Sequence, residues 1–193
     1  MSEPALDPRI ERTRRVVLES TLDELAEVGY GALTIEGVAR RAGVGKATMY
    51  RHWAGKLELV GDAVATLKQQ VRAPDTDDHR ERVTGLIRAV AETLSSSRFS
   101  ACMPAIVDAS ERDESVRRMH HAASSVRREY TESVLDDARR AGHLPDDVDV
   151  PLLAQVLVGP LFVRRLMTAE PFPVEQVDQL VAMVLDPLWI ASP

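Results

Sequence analysis

The sequence predicts an all-helical protein of about nine helices, and three observations support this fold class. Hydrophobic residues make up 45% of the 193 residues, which is enough to fill a core. They recur at spacings of three and four along several long segments, as on one face of an α-helix. Glycine and proline fall between these segments, and no run alternates apolar with polar residues as a half-buried strand would.

Charge divides the chain into two parts. The whole chain has a formal net charge of −6, but residues 1–56 sum to +1 and residues 57–193 sum to −7. Residues 1–8 show no helical periodicity. We therefore predict a flexible tail at residues 1–8, a small three-helix domain at residues 9–56 and a larger helical domain at residues 57–193.

A cytoplasmic location is expected. The single cysteine, Cys102, has no partner for an internal disulfide. The first residues lack the apolar segment of a signal peptide, and the longest apolar run, near residues 156–163, is too short to cross a bilayer, so no membrane partner is expected. Phosphate-binding glycine loops, metal-ligand spacings and nucleophile motifs are missing. We therefore expect no enzyme activity, no catalytic residue, no metal and no cofactor.

The first helices form a recognisable pair around a turn. The first predicted helix runs from Arg9 to Val28 and ends at Gly29. Thr34 then stands where its hydroxyl can cap a second helix. That helix ends at Gly43, a residue that can take the positive φ of a sharp helix stop. Residues 34–56 are therefore predicted to form two short helices joined by a glycine turn.

The second helix of this pair, Gly45 to Trp53, has one apolar and one polar face. Met49 and Trp53 lie one turn apart and are predicted to face the core. The outward positions are Lys46, Ala47, Thr48, Tyr50, Arg51 and His52. From Gly37 to Lys56 the sequence has five basic residues and no acidic residue. Such a face suits a polyanion, and together with Thr34 and Lys56 it is predicted to contact DNA.

The remaining periodic segments predict the helices of the larger domain. Pro104 is expected to break the shortest of them, because proline lacks the backbone donor that a helix needs. Gly159-Pro160 is expected to kink another. The predicted helices span about residues 56–71, 79–97, 99–109, 113–141, 150–168 and 174–190, with loops at residues 72–78 and 143–148.

The last two predicted helices carry more apolar surface than a small chain readily covers. The first of them is apolar nearly all round, and such a helix must be buried on more than one side. A second copy of the chain is the predicted cover, although the two helices could instead close the chain's own core. The predicted dimer interface consists of Leu153, Val156, Leu157, Leu161, Val177, Leu180, Val181, Val184 and Leu188.

A ligand pocket is predicted in the larger domain. It is inferred from flexible and aromatic side chains on helices that are expected to surround one core. These residues are Phe99, Met103, Ile106, Met119, Val126, Tyr130 and Phe162. The alternative is that they form plain core. Cys102 is expected to be a small buried residue, because no second cysteine is available to resolve an oxidised form.

A joint pattern of residues within about residues 9–60 is specific. It consists of Gly29-Tyr30, Thr34, Val38-Ala39, Ala42-Gly43-Val44, Lys46, Thr48, Met49-Tyr50, His52-Trp53 and Lys56. This pattern resembles the tetracycline-repressor-like (TetR) family of transcriptional regulators. The rest of the chain resembles that family in layout only, with a C-terminal helix pair that usually forms the dimer's four-helix bundle. Gly45 and Gly55 depart from the pattern, because the family usually has a capping side chain at each position.

The resemblance implies specific roles on the DNA face. Lys46, Thr48, Tyr50 and Lys56 would contact phosphates, and Arg51, Lys46 or Ala47 would lie near base edges. It also implies a homodimeric regulator, most simply a repressor, bound to a palindromic operator of double-stranded DNA and released by an unidentified small apolar or amphipathic ligand. Two alternatives stay open: a ligand-sequestering helical protein with a vestigial helix-turn-helix, and a redox sensor based on Cys102.

Overall fold

A computed structural model describes residues 8–66 and 71–190 of the chain. Those residues contain nine α-helices, one short 3₁₀ turn and no strand, which confirms the predicted all-helical fold. The helices are α1 (Pro8–Ala32), α2 (Ile35–Ala42), α3 (Lys46–His52), α4 (Lys56–Thr66), α5 (His79–Ser96), α6 (Arg98–Arg112), α7 (Glu114–Arg140), α8 (Val150–Met167) and α9 (Val177–Leu185). Pro8 begins α1, and the rest of the predicted tail lies outside the described residues, as does the continuation of the fourth predicted helix at residues 67–70.

The helices group into two compact units. The first unit takes in residues 1–67 and 101–121, and the second takes in residues 68–100 and 122–193. This division differs from the predicted boundary at residue 56, because side chains of α4 and α6 share one buried cluster with α1 to α3. As a result, α6 and α7 each begin in one unit and continue in the other.

The core of the first unit is built on the inward faces of α1 to α4. Met49 and Trp53 are buried, as their one-turn spacing predicted. From α6, Cys102 is fully buried, and its thiol donates a hydrogen bond to the Leu22 carbonyl oxygen at 3.1 Å. A buried and hydrogen-bonded thiol is suited to packing, which argues against the redox-sensor alternative. The cluster includes Val17, Leu18, Leu22, Leu25, Val38, Met49, Trp53, Leu59, Val60, Cys102 and Ile106.

Two glycines set the direction of the chain in the first unit. Gly29 has a φ of 76° and interrupts α1 directly after the predicted end of the first helix. Gly43 has a φ of 67° and ends α2. The N–H of Val44 then donates to the Ala39 carbonyl oxygen at 3.0 Å, which satisfies an acceptor that the helix end leaves open.

Helix α6 runs without a break through Pro104, so the predicted broken helix is wrong. Proline at this position removes the hydrogen bond that the Ser100 carbonyl oxygen would otherwise accept. The Arg165 side chain supplies a replacement, because its Nη2 donates to the Ser100 carbonyl oxygen at 2.5 Å. This compensation comes from a residue 65 positions away in the chain. Helix α8 also continues unbroken through Gly159-Pro160.

The second unit packs α8 and α9 against α5. Its buried positions include Leu86, Ile87, Leu94, Leu157, Leu161, Val181 and Leu185. The carboxylate of Asp178 pairs with Arg88 at 2.6 Å and ties α9 to α5. Helix α9 is shorter than the predicted segment 174–190, because a 3₁₀ turn at Val174–Gln176 precedes it and Pro187 cannot continue the helical hydrogen bonding.

Helix α8 is, among the described residues, the one helix long and apolar enough to cross a membrane by length and composition. Its apolar residues fall on two sides in the structure. Leu153 and Leu157 are buried, whereas Leu152 and Val156 are exposed. We interpret the first side as part of the chain's core and the second as a surface available to another protein chain.

Candidate nucleic-acid interface

The inner side of α3 is fixed by a hydrogen-bonded cluster. Trp53, at the end of α3, is 2% exposed, and its Nε1 donates to Asp62 of α4 at 3.0 Å. The same carboxylate oxygen accepts a hydrogen bond from Arg14 of α1 at 2.6 Å. Because Asp62 joins α1, α3 and α4, the position of α3 is determined by the body of the first unit rather than by its own short length.

The start of α2 is fixed by a cap and a close helix contact. The Thr34 hydroxyl accepts a hydrogen bond from the Gly37 N–H at 3.0 Å, which confirms its predicted capping position. A Cβ at Gly37 would lie 2.7 Å from a Glu24 carboxylate oxygen, so glycine allows α2 to approach α1 closely. Glu24 in turn accepts a hydrogen bond from Arg41 at 2.8 Å. Thr34 therefore positions α2, in addition to lying on the predicted DNA face.

The outer face of α3 is largely open to solvent. Lys46, Ala47, Tyr50, Arg51 and His52 are exposed, and Thr48 is half-buried. Tyr50 is 51% exposed although it is a large aromatic residue. All six outward positions predicted from the sequence thus lie on the side of α3 away from its core, together on one seven-residue helix.

Glu36 is a functional candidate that sequence reasoning did not place on this face. Its carboxylate accepts a hydrogen bond from the Tyr50 hydroxyl at 3.0 Å and lies 3.9 Å from the Lys46 ammonium. A hydrogen bond from its own backbone N–H, followed by the Tyr50 hydroxyl, lowers the pKa of Glu36. The same hydrogen bond raises the pKa of Tyr50. A DNA phosphate that bound either side chain would therefore compete with Glu36.

The basic residues of this region differ in how well they are neutralised. Arg41 pairs with both Glu27 and Glu24, and its hydrogen bond to Glu27 is the main reason that the pKa of Arg41 is raised. Arg40 and Arg51 form no ion pair with any described residue. Arg51 is thus the basic side chain of α3 that is both exposed and without an acidic partner within the described chain.

Lys56 has a different environment from the one predicted. Its ammonium donates to the Tyr30 carbonyl oxygen at 2.8 Å and the Gly31 carbonyl oxygen at 3.3 Å. It also lies 4.4 Å from the centre of the Tyr30 ring. These oxygens belong to the end of α1, where helical partners run out. Lys56 therefore caps the end of α1, a role that the sequence did not predict. Its contact with a DNA phosphate stays a prediction.

The two glycines that depart from the family pattern, Gly45 and Gly55, each lack the side chain that usually caps the following helix. Gly45 precedes α3 in an extended conformation, and it makes no side-chain cap. Before α4, the Ala54 N–H next to Gly55 is instead satisfied by Glu58, whose carboxylate accepts it at 2.7 Å. Glu58 thus satisfies an N–H just before the helix, as the glutamate of a capping box does, while glycine at position 55 offers no side-chain acceptor to the first N–H groups of α4.

The predicted pocket residues do not share one environment. Met103, Ile106 and Met119 belong to the first unit, where Ile106 is part of the buried cluster and Met119 packs against it. Val126 is 53% exposed, so the prediction that it faces inward is wrong; α7 turns that position to solvent. In the second unit, Phe99 is buried, Phe162 is half-buried and the Tyr130 hydroxyl accepts a hydrogen bond from the Ala73 N–H at 3.0 Å.

The second unit contains a cavity of about 380 Å³ that none of the predicted pocket residues lines. Its lining residues are Asp77, Asp78, His79, Arg80, His143 and Trp189. The Trp189 ring stacks on His143 at 5.3 Å between centroids, and the Arg80 guanidinium lies 5.0 Å from it. Since Trp189 is already engaged by these two side chains and the other lining residues are polar, the cavity does not suit an apolar ligand.

The predicted interface residues lie on different sides of α8 and α9. Five of them are corrected to core positions, because they are buried within the chain itself: Leu153, Leu157, Leu161, Val177 and Val181. Leu180, Val184 and Leu188 are half-buried, and Val156 is 45% exposed. The large apolar side chains that α8 and α9 expose are Leu152, Val156, Val163, Leu166, Met167 and Met183.

Comparisons with known proteins cover both parts of the chain. Residues 17–63 match the family model described as "Bacterial regulatory proteins, tetR family". Residues 73–184 match the model described as "Tetracyclin repressor-like, C-terminal domain". The two matches lie on the helix-turn-helix region and on the larger helical region, as the sequence pattern and layout predicted.

Similar proteins match along most of their length. The HTH-type transcriptional regulator YdeS of Bacillus subtilis (strain 168) is 27% identical over 176 residues, covering 90% of this chain and 88% of that protein. The TetR family transcription regulator SCO0332 has a TM-score of 0.71 and 29% identity, covering 94% of this chain and 100% of that one. A TetR transcription regulator from Haloarcula marismortui ATCC 43049 shows the same fold, with a TM-score of 0.76, 17% identity, and coverage of 93% and 100%. This chain belongs to the TetR family of helix-turn-helix transcriptional regulators.

Proposed function

We propose that the protein is a homodimeric repressor that binds a palindromic operator and releases it when a small apolar or amphipathic ligand binds the second unit. The exposed face of α3 carries the DNA-binding part of this proposal. Lys46, Tyr50 and Arg51 project from a helix whose inner side is fixed by Trp53 and Asp62. Hydroxyl and ammonium groups suit phosphates, and the Arg51 fork suits the two acceptors of guanine.

A dimer would place two copies of α3 on one DNA duplex. Two such helices reach successive major grooves when they lie about 34 Å apart, which is one turn of DNA. A two-fold protein dimer then requires a palindromic site, because each half-site meets the same residues. We expect operator selection from random DNA to return an inverted repeat. A protein that shows no salt-dependent binding to any DNA would contradict the proposal.

The exposed apolar stripe on α8 supports the dimer. Leu152, Val156, Val163 and Met167 follow one another at helical spacings, and Met183 of α9 is 71% exposed. An unpaired apolar stripe of this kind is typical of a subunit interface rather than of a monomer surface. The second copy of the chain is the proposed occupant, in keeping with the C-terminal helix pair that the family resemblance implies.

Light scattering with a matched pair of variants tests this interface. Val156→Glu places a charge on the stripe and is expected to shift the mass from twice 21.3 kDa toward 21.3 kDa. Val126→Glu introduces the same charge at another exposed valine, on α7, and is expected to leave the dimer intact. A wild-type mass of one chain at micromolar concentration, or equal effects of both variants, would refute the proposed interface.

The last part of the proposal is release of the operator when a small ligand binds. One protein of the same fold, with 18% identity and a TM-score of 0.70, is described as the flavonoid-responsive regulator FrrA. By analogy, a ligand would act by binding more tightly to a state of this chain in which the two α3 helices no longer fit one operator. Fluorescence anisotropy of the operator complex against a small-molecule panel tests this mechanism directly.

A further inference from the structure

The second unit contains partly buried arginines that lack a negative partner. Seven of its arginines are partly buried in the described residues. Arg80, Arg82, Arg88 and Arg139 each pair with an aspartate. Arg127, Arg164 and Arg165 form no ion pair with any described residue. These three side chains are therefore partly buried and have no carboxylate partner among the described residues.

Arg127 of α7 is stabilised only by neutral groups. Its guanidinium lies 5.0 Å from the centre of the Phe99 ring, and its Nη2 donates to the Ser124 hydroxyl at 3.0 Å. Burial lowers the pKa of Arg127, which shows that the surroundings disfavour its charge. An arginine nonetheless keeps its proton at every ordinary pH, so Arg127 stays charged in this partly desolvated position.

Arg165 of α8 approaches the same short segment. It donates through Nε to the Ser100 hydroxyl and through Nη2 to the Ser100 carbonyl oxygen. Phe99 and Ser100 are consecutive residues in the first turn of α6, so arginines from two different helices, α7 and α8, contact the same turn. Beside Arg165, the Nε of Arg164 is buried and has no hydrogen-bond partner. Neither Arg127 nor Arg165 has an acidic partner among the described residues, so their hydrogen bonds leave the charge of this turn uncompensated.

We propose that the effector of the second unit is a small organic carboxylate bound by Arg127 and Arg165 at the first turn of α6. This inference rests on the proposed ligand-binding function and specifies the chemistry of the ligand. A carboxylate matches the planar fork of a guanidinium with two parallel hydrogen bonds. The first turn of a helix also favours negative charge, because it lies at the positive end of the helix dipole.

The location offers a route from the ligand to the DNA-binding unit. Helix α6 begins at this cluster and continues into the first unit, where Cys102 donates to the Leu22 carbonyl oxygen of α1. Ile106, one turn further, packs in the cluster that contains Met49 and Trp53 of the α3 region. A carboxylate bound at the first turn of α6 would therefore contact a helix whose later turns pack in that core.

Calorimetric titration of the full chain with octanoate and octanamide tests the proposal. The two probes share a chain length and differ in the charge of the head group. We expect octanoate to bind at least about tenfold more tightly than octanamide, as charge-assisted hydrogen bonds allow. This preference should disappear in Arg127→Gln and Arg165→Gln. It should persist in Arg140→Gln, which removes an exposed arginine of α7 that already pairs with Asp136 and Asp137.

Several outcomes would overturn the carboxylate site. These are no octanoate binding at millimolar concentration, binding no tighter than that of octanamide, and an octanoate preference that persists in the Arg127→Gln chain. Arg127→Gln is the decisive variant, because Arg165 also supports the helix at Pro104, and circular dichroism checks that each variant folds. Operator release separates this inference from the proposed function. Equal operator release by both probes would support control by a ligand and refute the carboxylate preference. Arginine-dependent octanoate binding without operator release would support the carboxylate site and refute control by a ligand.

Discussion

Replacing Lys56 with methionine separates two roles for this residue. Methionine keeps the apolar stem and removes the ammonium, which donates to the carbonyl oxygens of Tyr30 and Gly31 at 2.8 and 3.3 Å. Two partly exposed hydrogen bonds from a charged group and one cation–π contact together contribute about 2 kcal/mol. For a chain of this size, that loss lowers the melting temperature by roughly 4–8 °C.

Thermal unfolding and the salt dependence of DNA binding distinguish the roles. Lys46→Met is the matched control, because Lys46 is exposed and its nearest acidic partner is 3.9 Å away. The control should reduce the slope of log K against log salt by about 0.9 and barely change the melting temperature. Lys56→Met should lower the melting temperature and change the slope less. If Lys56→Met melts within about 1 °C of wild type, the capping role is refuted.

Three further predictions concern the same region. Glu36→Gln should raise affinity for random-sequence DNA about two- to fivefold in anisotropy titrations, as one exposed charge interaction allows; unchanged affinity would contradict competition by Glu36. Because the pKa of Glu36 is lowered, the stabilisation from its charged carboxylate is fully present above pH 4.5 and is lost as the pH falls through its lower folded-state pKa. Wild type should therefore lose more stability in acid than Glu36→Gln. Gly43→Ala, at a φ of 67°, should cost about 1–2 kcal/mol in urea unfolding, whereas Gly45→Ala, at a φ of −71° in the N-cap position of α3, should cost less, about 0.5–1 kcal/mol.

The faces of α2 and α3 were predictable because each of these helices has one apolar stripe. Along α3, Met49 and Trp53 are the apolar positions one turn apart, so the inward and outward faces follow from spacing alone. Helix α8 is apolar on two sides, and spacing does not tell which stripe meets the chain's own core. The sequence-based prediction assigned Leu153 and Leu157 to the dimer interface, whereas both are buried within the chain. Neighbouring positions lie 100° apart, so the exposed stripe through Leu152 and Val156 was equally compatible with the pattern.

Other differences depend on contacts between residues far apart in the chain. The continuity of α6 at Pro104 requires Arg165, and the position of Lys56 requires the end of α1. Neither partner can be identified from local periodicity, because a long side chain can reach several neighbouring elements. In the sequence alone, Glu36 is an acidic residue near Thr34 with no visible link to α3. Its contact with Tyr50 becomes visible once the Gly43 turn brings α2 and α3 together.

The free protein's own contacts predict that Arg51 contributes more to DNA affinity than Tyr50. A phosphate that binds Tyr50 replaces the hydrogen bond to Glu36, so the exchange brings only a small net gain. Arg51 has no acidic partner among the described residues, and its hydrogen bonds to DNA replace only water. Arg51→Gln should therefore weaken operator binding about tenfold or more, whereas Tyr50→Phe should weaken it less than about threefold. The opposite ranking in anisotropy titrations at one salt concentration would show that the Glu36 contact does not compete with DNA.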